Sequence, residues 1–254
     1  QEANNNNVID IFGFENAMAA NQEEVVEDIK VPSNDPIVCN NTHLTIHANT
    51  IRYNGKPCIR FTFINHTNTL LKQFAVRFND KCNWLGISPE NITFICSVNG
   101  NNGIATTYVP LIQNKDKNGP VNTIQVALRT QIESNLVLKM QFDLPSFIFF
   151  QENGIVDKKT FSSIWQSVDK SKEVSITKTL SKSVDEIKTL LSDKNINIMA
   201  HRYLEQRGDV MYLSVKYNNQ AILGELCSNN GSIVIKCRSK ETTLANDVAN
   251  GIAY

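Results

Sequence analysis

Between residues 44 and 150 apolar side chains recur at every second position, and from Phe161 to Val168 they recur at every third and fourth. That change of period constrains the fold more than any other feature of the chain. In the first half Ile59, Phe61 and Phe63 alternate with Arg60 and Thr62, Phe74, Val76 and Phe78 alternate with Ala75 and Arg77, and Ile124, Val126 and Leu128 alternate with Gln125, Ala127 and Arg129. Successive side chains of a strand point to opposite faces, so each run predicts a strand with one buried face. Turn signals separate the runs at Asn54-Gly55, Ser88-Pro89, Asn99-Gly100 and Asn118-Gly119-Pro120. Many short strands with no helical pattern between them predict an immunoglobulin-like β-sandwich over residues 37–150. The densest apolar cluster, Phe147, Ile148, Phe149 and Phe150, suits a buried strand at its end.

Beyond Gly154, Phe161, Ile164, Trp165 and Val168 fall at i, i+3, i+4 and i+7, the stripe of an amphipathic helix. Ser183 and Glu186 form a capping box ahead of Val184, Ile187, Leu190 and Leu191, which predicts a second helix. Strands follow near 196–204, 209–218, 220–227 and 231–238, broken at Arg207-Gly208, Asn218-Asn219 and Asn229-Asn230-Gly231. Leu244, Val248 and Ile252 predict a C-terminal helix. The fold class is therefore α+β: a β-sandwich, a boundary at about residue 150, and then a hairpin-linked antiparallel sheet flanked by helices over residues 151–254.

The net charge of zero hides an asymmetry. Residues 1–36 carry eight acids and one base, giving −7, whereas residues 37–150 carry +5 and residues 151–254 carry +2. The acidic segment begins with a run of asparagines and ends in Pro32-Ser33-Asn34-Asp35-Pro36, the composition of a disordered linker. Its one apolar cluster is Ile11-Phe12-Gly13-Phe14. No apolar run approaches the roughly 18 residues of a membrane span, so no membrane anchor is expected. The first residues also lack the pattern of a signal peptide. The mildly basic remainder has no basic stripe interleaved with aromatics, which argues against a nucleic-acid partner.

Six cysteines (Cys39, Cys58, Cys82, Cys96, Cys227, Cys237) form no C-x-x-C pair and no zinc spacing, and they suit free thiols in a reducing compartment. Asn40, Asn65, Asn91 and Asn230 head N-x-S/T triplets, the competing signal of a secreted glycoprotein. No nucleophile elbow, phosphate-binding glycine run or zinc-protease helix is present. His43 and His47 lie beside an alternating stretch, where a helical i, i+4 ligand pair does not form. His66 and His201 lack cysteine or carboxylate neighbours suited to nucleophilic catalysis. The expectation is a non-enzymatic chain with neither metal nor cofactor.

Residues 145–173, PSFIFFQENGIVDKKTFSSIWQSVDKSKE, run from the apolar cluster into the Trp165 helix. Together with INIMAHRYLEQRGDVMYLSVKYNNQAILGELCS at 196–228, IVIKCRS at 233–239, RFTFINHTNTLLKQFAVRFN at 60–79 and NTIQVALRTQIE at 122–133, they resemble the appendage, or ear, domain of a beta-adaptin of clathrin adaptor complexes. The resemblance covers roughly residues 44–254. It implies that the C-terminal subdomain, the platform, binds short helical peptides in a groove, and it assigns Trp165, Tyr212, Glu173, Glu225 and Arg202 to that groove. Lys158 stands where human members of the family carry an arginine, keeping charge but losing bidentate geometry. Aromatic side chains suit the anchors of such a groove, and carboxylates at its edge can receive a ligand arginine. By periodicity alone, Trp165 shares its stripe with Phe161 and fits a core as well as a groove.

The resemblance also implies a second site on the side of the sandwich, at Gln125, Ala127 and Arg129. The following strand, residues 136–142, has no tyrosine where the family places an aromatic contact, and Lys139 falls near that position. The implied function is a protein-interaction module on the large beta subunit of an adaptor complex. It would capture peptide motifs of accessory proteins and cargo adaptors during vesicle coat assembly, endocytosis and intracellular protein transport. Clathrin and the other adaptor subunits are further implied partners. The implied location is cytoplasmic, peripheral on coated vesicles, Golgi or plasma membrane, with membrane association only through the complex. Rival readings are the appendage of an alpha-adaptin or coatomer gamma subunit, and a secreted or surface glycoprotein β-domain, which three disulfides would reveal.

Overall fold

The computed structural model describes residues 31, 35–79, 85–87, 93–113, 123–130 and 137–254. These form two compact units, one holding the described residues up to Tyr53 and from Pro57 to Asp143, the other Asn54–Lys56 and Leu144–Tyr254. The acidic segment up to residue 30, with Ile11-Phe12-Gly13-Phe14, lies outside the described residues.

The first unit is a two-sheet sandwich. Its strands are β1 (Ile37–Asn40), β2 (Leu44–Tyr53), β3 (Lys56–Asn65), β4 (Leu71–Phe78), β5 (Leu85–Ile87), β6 (Thr93–Val98), β7 (Gly103–Gln113), β8 (Thr123–Thr130) and β9 (Val137–Asp143). One sheet has the order β1-β2-β3-β7-β5 and the other β6-β4-β8-β9. The period-two residues build the core as alternation requires: Ile59, Phe61, Phe63, Phe74, Val76, Ile124, Val126 and Leu128 are all buried. Aromatic rings join the two sheets. Phe63 of β3 stacks on Phe74 of β4 at 4.3 Å, and Phe61 meets Phe142 of β9 edge-on at 6.3 Å. The β2–β3 hairpin turns at Asn54 (φ 49°) and Gly55 (φ 74°), the left-handed pair that a two-residue hairpin favours.

Two polar features fix the ends of this unit. Buried Asp35 accepts from Arg60 Nε at 2.7 Å and Nη2 at 2.6 Å, and from Asn49 Nδ2 at 3.2 Å, so the chain is pinned where the acidic segment ends. Asn65 is wholly buried, and its amide donates to the carbonyls of Thr69 (2.7 Å) and Val98 (3.1 Å), which closes it to glycan attachment. Cys39, Cys58, Cys96, Cys227 and Cys237 are free thiols, while Cys82 lies outside the described residues. Among the described residues no helix is long and apolar enough to cross a membrane, and no His/Cys/Asp/Glu group could hold a metal ion.

The second unit is one five-stranded antiparallel sheet with helices. Its elements are α1 (Lys158–Ser167), β10 (Glu173–Thr179), α2 (Val184–Asp193), β11 (Asn197–Leu204), β12 (Gly208–Tyr217), β13 (Gln220–Asn229), β14 (Ser232–Arg238) and α3 (Thr242–Ala253). The sheet order is β10-β14-β13-β12-β11. Asp157 caps α1 by accepting from Thr160 N at 2.8 Å, and Ser183 with Glu186 completes the capping box of α2. Met211, Leu213, Ile222, Leu226, Ile235 and Cys237 lie on one face of the sheet by register and are buried, as are Leu244, Ala245 and Val248 of α3.

Three features differ from the sequence reading. Residues Ser146–Phe149 form a short 3-10 turn after Pro145 rather than a strand, with Ile148 and Phe150 wholly buried. This turn belongs to the second unit. Phe150 meets Tyr217 edge-on at 5.7 Å, and α3 approaches so closely that a Cβ at Gly251 would lie 2.6 Å from Ser146 Oγ and 2.8 Å from Phe150 Cζ. The division between the units therefore falls at Asp143/Leu144, where pattern alone suggested about residue 150. The third difference is β10, which no alternation predicted: it is an edge strand with only Val174 and Ile176 as apolar residues, too short a signal for period two.

Candidate functional site

The register of the second sheet assembles an aromatic and charged face opposite its apolar one. Glu173 of β10 pairs with Arg238 of β14, Lys236 of β14 with Glu225 of β13, Glu225 with Tyr212 of β12, and Tyr212 with Ala200 of β11, two residues before Arg202. Direct cross-strand partners share a face, so Glu173, Lys236, Arg238, Glu225, Tyr212 and Arg202 all lie on one surface. With neighbouring strands about 4.8 Å apart, it extends roughly 19 Å from edge to edge. A bulge between Ile198 and Ala200 restores the phase that puts Ala200 and Arg202 on this side.

Helix α1 lies against this face. Phe161 stacks on Trp165 (5.7 Å between centroids, 16° between planes) and meets Tyr212 edge-on at 5.9 Å. No residue of α1 is fully buried, so Trp165 is a half-covered surface ring rather than core. Arg238 secures it from below: its guanidinium sits 4.2 Å from the Trp165 ring centroid, and Nη1 donates to the Trp165 carbonyl at 3.0 Å. Arg202 covers Tyr212 in the same way, 5.1 Å from the ring and donating to its hydroxyl. Lys158 opens α1, one turn before Phe161, and is exposed.

The two glutamates are not free acceptors. Glu173 accepts from Arg238 Nε at 2.7 Å and has Lys236 Nζ 3.8 Å from its other oxygen. Glu225, only 8 % exposed, receives both terminal nitrogens of Arg207, which also lies 2.8 Å from Cys227 Sγ. The hydrogen bond to Glu225 holds the Arg207 guanidinium above its ordinary pKa, while burial pushes the Cys227 thiol up. The structure thus brings Trp165, Tyr212, Glu173, Glu225 and Arg202 together, with Lys158 at the start of the helix. It adds Phe161, Arg207, Lys236 and Arg238, which sequence reasoning did not assign to the site. The stripe pairing Phe161 with Trp165 carried a signal for the first; nothing local marks three cations brought in by turn geometry and cross-strand register.

In the sandwich unit a cavity of about 640 Å³ is lined by Arg77, Gln125, Ala127, Lys139 and Gln141, among others. Gln125 accepts from Asn79 Nδ2 at 2.7 Å and donates to Gln141 Oε1 at 3.1 Å. Arg129 lies two residues further along β8, on the same face by alternation, outside the lining. A helical peptide docks through a row of side chains and needs no enclosed cavity of this kind.

Comparison with known proteins agrees with this architecture. Residues 151–253 match the family model described as beta2-adaptin appendage, C-terminal sub-domain. The chain is 23 % identical over 196 residues to the AP-1 complex subunit beta of Dictyostelium discoideum, covering 76 % of this chain and 20 % of that protein. It is 24 % identical over 208 residues to the AP-1 complex subunit beta-1 of Rattus norvegicus (79 % and 21 %), and 24 % over 211 residues to that of Homo sapiens (79 % and 22 %). The chain therefore spans about a fifth of the length of the curated relatives it matches.

Proposed function

We propose, proceeding from the fact that this chain carries a beta-adaptin appendage domain, that its second unit captures short amphipathic helical peptides on the Trp165–Tyr212 face. On this reading the chain would be a non-catalytic module and its setting a clathrin adaptor complex. The peptides would be segments of accessory and cargo-adaptor proteins, recruited while a vesicle coat assembles for intracellular transport. The other subunits of the complex would be met through the rest of the full-length protein, and the membrane only through the complex.

One observation carries the reading: Phe161 meets the rings of both Trp165 and Tyr212 on a half-buried surface framed by charged side chains. Half-buried aromatics with a charged rim are the make-up of an interaction hot spot. Packing alone would have placed the large apolar side chains of α1 in the core. Individual captures would be weak, and avidity would arise when several appendages meet several motifs at one coat.

The test is calorimetric titration with a helical peptide carrying two phenylalanines one turn apart. Trp165→Ala and Tyr212→Ala should each weaken binding by about 1–3 kcal/mol, the range of hot-spot anchors, without lowering the thermal midpoint much. If Trp165→Ala lowers the midpoint sharply while residual binding stays at wild-type affinity, Trp165 is a packing residue and the assignment fails. The hollow at Gln125 and Ala127 supports a second, sandwich-side surface; with Arg77 and Lys139 in its lining it would favour an acidic ligand, clathrin or accessory protein.

A further inference from the structure

The outer face of the sheet β1-β2-β3-β7-β5, in the sandwich unit, plays no part in the peptide-binding reading. Alternation turns Ile46, Ala48 and Thr50 of β2 and Ala105, Thr107 and Val109 of β7 into the core. Asn49, Ile51 and Tyr53 therefore point outward, as do Tyr108, Pro110 and Ile112. Of the large apolar side chains exposed among the described residues, half belong to this face: Ile37, Tyr53, Ile104 and Ile112. Tyr53 reaches across β3 to stack on Tyr108, with 3.8 Å between centroids and 7° between planes. A concentration of exposed apolar side chains on one sheet marks a surface that something covers.

Charge and chain direction identify the cover. The five strands hold Arg52, Lys56 and Arg60 and no acidic residue. The carboxylate that serves Arg60 comes instead from Asp35, the last acid of the acidic segment, which lies buried on this face against Arg60 and Asn49. β1 runs antiparallel to β2, with Asn40 opposite Thr45 and Ile37 opposite His47, and the Pro36 carbonyl accepts from Ala48 N at 3.2 Å. Followed backwards from Ile37, the chain travels along β2 towards Tyr53 and has reached Asn49 at Asp35. Val31 is still half-buried. The residues before Asp35 are thus directed at the Tyr53–Tyr108 end of the sheet. Residues 1–34 carry seven acids and one base, and their apolar cluster Ile11-Phe12-Gly13-Phe14 lies between Asp10 and Glu15.

We infer that the acidic segment of this chain docks on the outer face of its own sandwich, with Phe12 and Phe14 against Tyr53, Tyr108 and Ile112 and its carboxylates towards Lys56. Asp35 on Arg60 is the anchored end of that contact. The roughly 20 residues between Phe14 and Asp35 span about 25 Å as a coil, more than the roughly 19 Å width of five strands. Tethering supplies a high effective concentration, so a weak contact suffices. Docking shortens the tether and withdraws Ile11–Phe14 from other partners. The inference is independent of the peptide-binding face of the second unit.

The test is two-dimensional nuclear magnetic resonance of the intact chain and its Phe12→Ser/Phe14→Ser variant, which leaves both units untouched. The amides of Ile51, Tyr53, Tyr108 and Ile112 should differ between the two, with the Trp165 indole N–H unmoved. A synthetic peptide of residues 8–20, added to the variant, should return those amides saturably towards their wild-type positions. The same peptide with serine at both phenylalanines should not. Lys56→Gln, introduced into the variant, should weaken the return by about two- to fivefold, the range of an exposed ion pair. Superimposable spectra of wild type and variant overturn the inference, as does movement of the Trp165 indole, which would seat the segment in the second unit. Recovery by the serine peptide overturns the apolar contact. Wild-type shifts that fade on dilution would place the segment on a second copy and overturn docking within one chain.

Discussion

The most exacting consequence of the geometry concerns Arg238, whose side chain joins strand, helix and carboxylate at once. It is 9 % exposed, donates to Glu173 at 2.7 Å and to the Trp165 carbonyl at 3.0 Å, and places its guanidinium 4.2 Å from the Trp165 ring. A hydrogen bond to a charged partner contributes about 1.5–3 kcal/mol, and a partly desolvated cation–π contact about 0.5–2 kcal/mol. These terms share one side chain and do not simply add. Lys236, 3.8 Å from the other Glu173 oxygen, also softens the loss. Arg238→Ala should therefore destabilise the chain by about 2–4 kcal/mol, towards the lower end of what breaking a buried ion pair costs.

Glu173→Gln should cost less, because it keeps an acceptor. A double-mutant cycle between the two, read by urea unfolding followed by circular dichroism, should return a coupling of about 1–2 kcal/mol. Arg238→Lys should recover little, since an ammonium cannot serve carboxylate, carbonyl and ring from one planar group. A loss below about 0.5 kcal/mol for Arg238→Ala, additive with Glu173→Gln, would show that Trp165 is held without this clamp, and the account of how α1 is seated would be wrong.

In the sandwich unit, Asp35→Asn should destabilise by roughly 2–4 kcal/mol in urea unfolding, because Arg60 loses a bidentate partner at a buried site. Burial, followed by the nearby Lys178, lowers the Lys194 pKa from 10.5 to about 8, so between those values the unfolded chain holds a proton that the folded chain lacks. Stability should rise as pH increases from about 8 to 10.5, and Lys194→Met should flatten that rise in unfolding curves taken across the range. Burial raises Asp247 from 3.8 to about 6, so its contribution is present at low pH and lost as pH rises through about 6, a loss that Asp247→Asn should remove. A fragment of residues 31–145 should fold alone, giving a cooperative thermal transition; an aggregated or molten fragment would mean that the sandwich depends on the second unit.

Much of the fold was legible because alternation and helical periodicity are local. Phe61, Phe63 and Phe74 announce strands with a buried face and are buried as expected, and Ser183 with Glu186 announces a helix start with both reciprocal hydrogen bonds present. The cluster from Phe147 to Phe150 misled because an apolar run states burial and not period. Pro145 opens a 3-10 turn there, and α3 covers it. Edge strand β10 escaped because one of its long sides pairs with nothing in the sheet, leaving little apolar pattern.

For the site, resemblance named residues that the register of the sheet then placed on one surface. It could not show what already bonds to them. That Glu225 lies under Arg207 depends on where the β11–β12 turn delivers residue 207, and that Glu173 lies against Arg238 depends on pairing across 65 residues of chain. These long-range pairings decide whether a carboxylate is offered to a ligand or consumed internally, and no local spacing encodes them.

The central claim, that the aromatic face of the second unit is the peptide-binding surface, is met most directly by nuclear magnetic resonance titration of the intact chain with the helical two-phenylalanine peptide. The account predicts saturable shifts at the Trp165 indole N–H and at the backbone amides of Phe161, Tyr212, Glu225 and Arg202, all lost in Trp165→Ala. Shifts confined to Gln125, Ala127 and their neighbours in the sandwich, with the Trp165 indole unmoved, would contradict it.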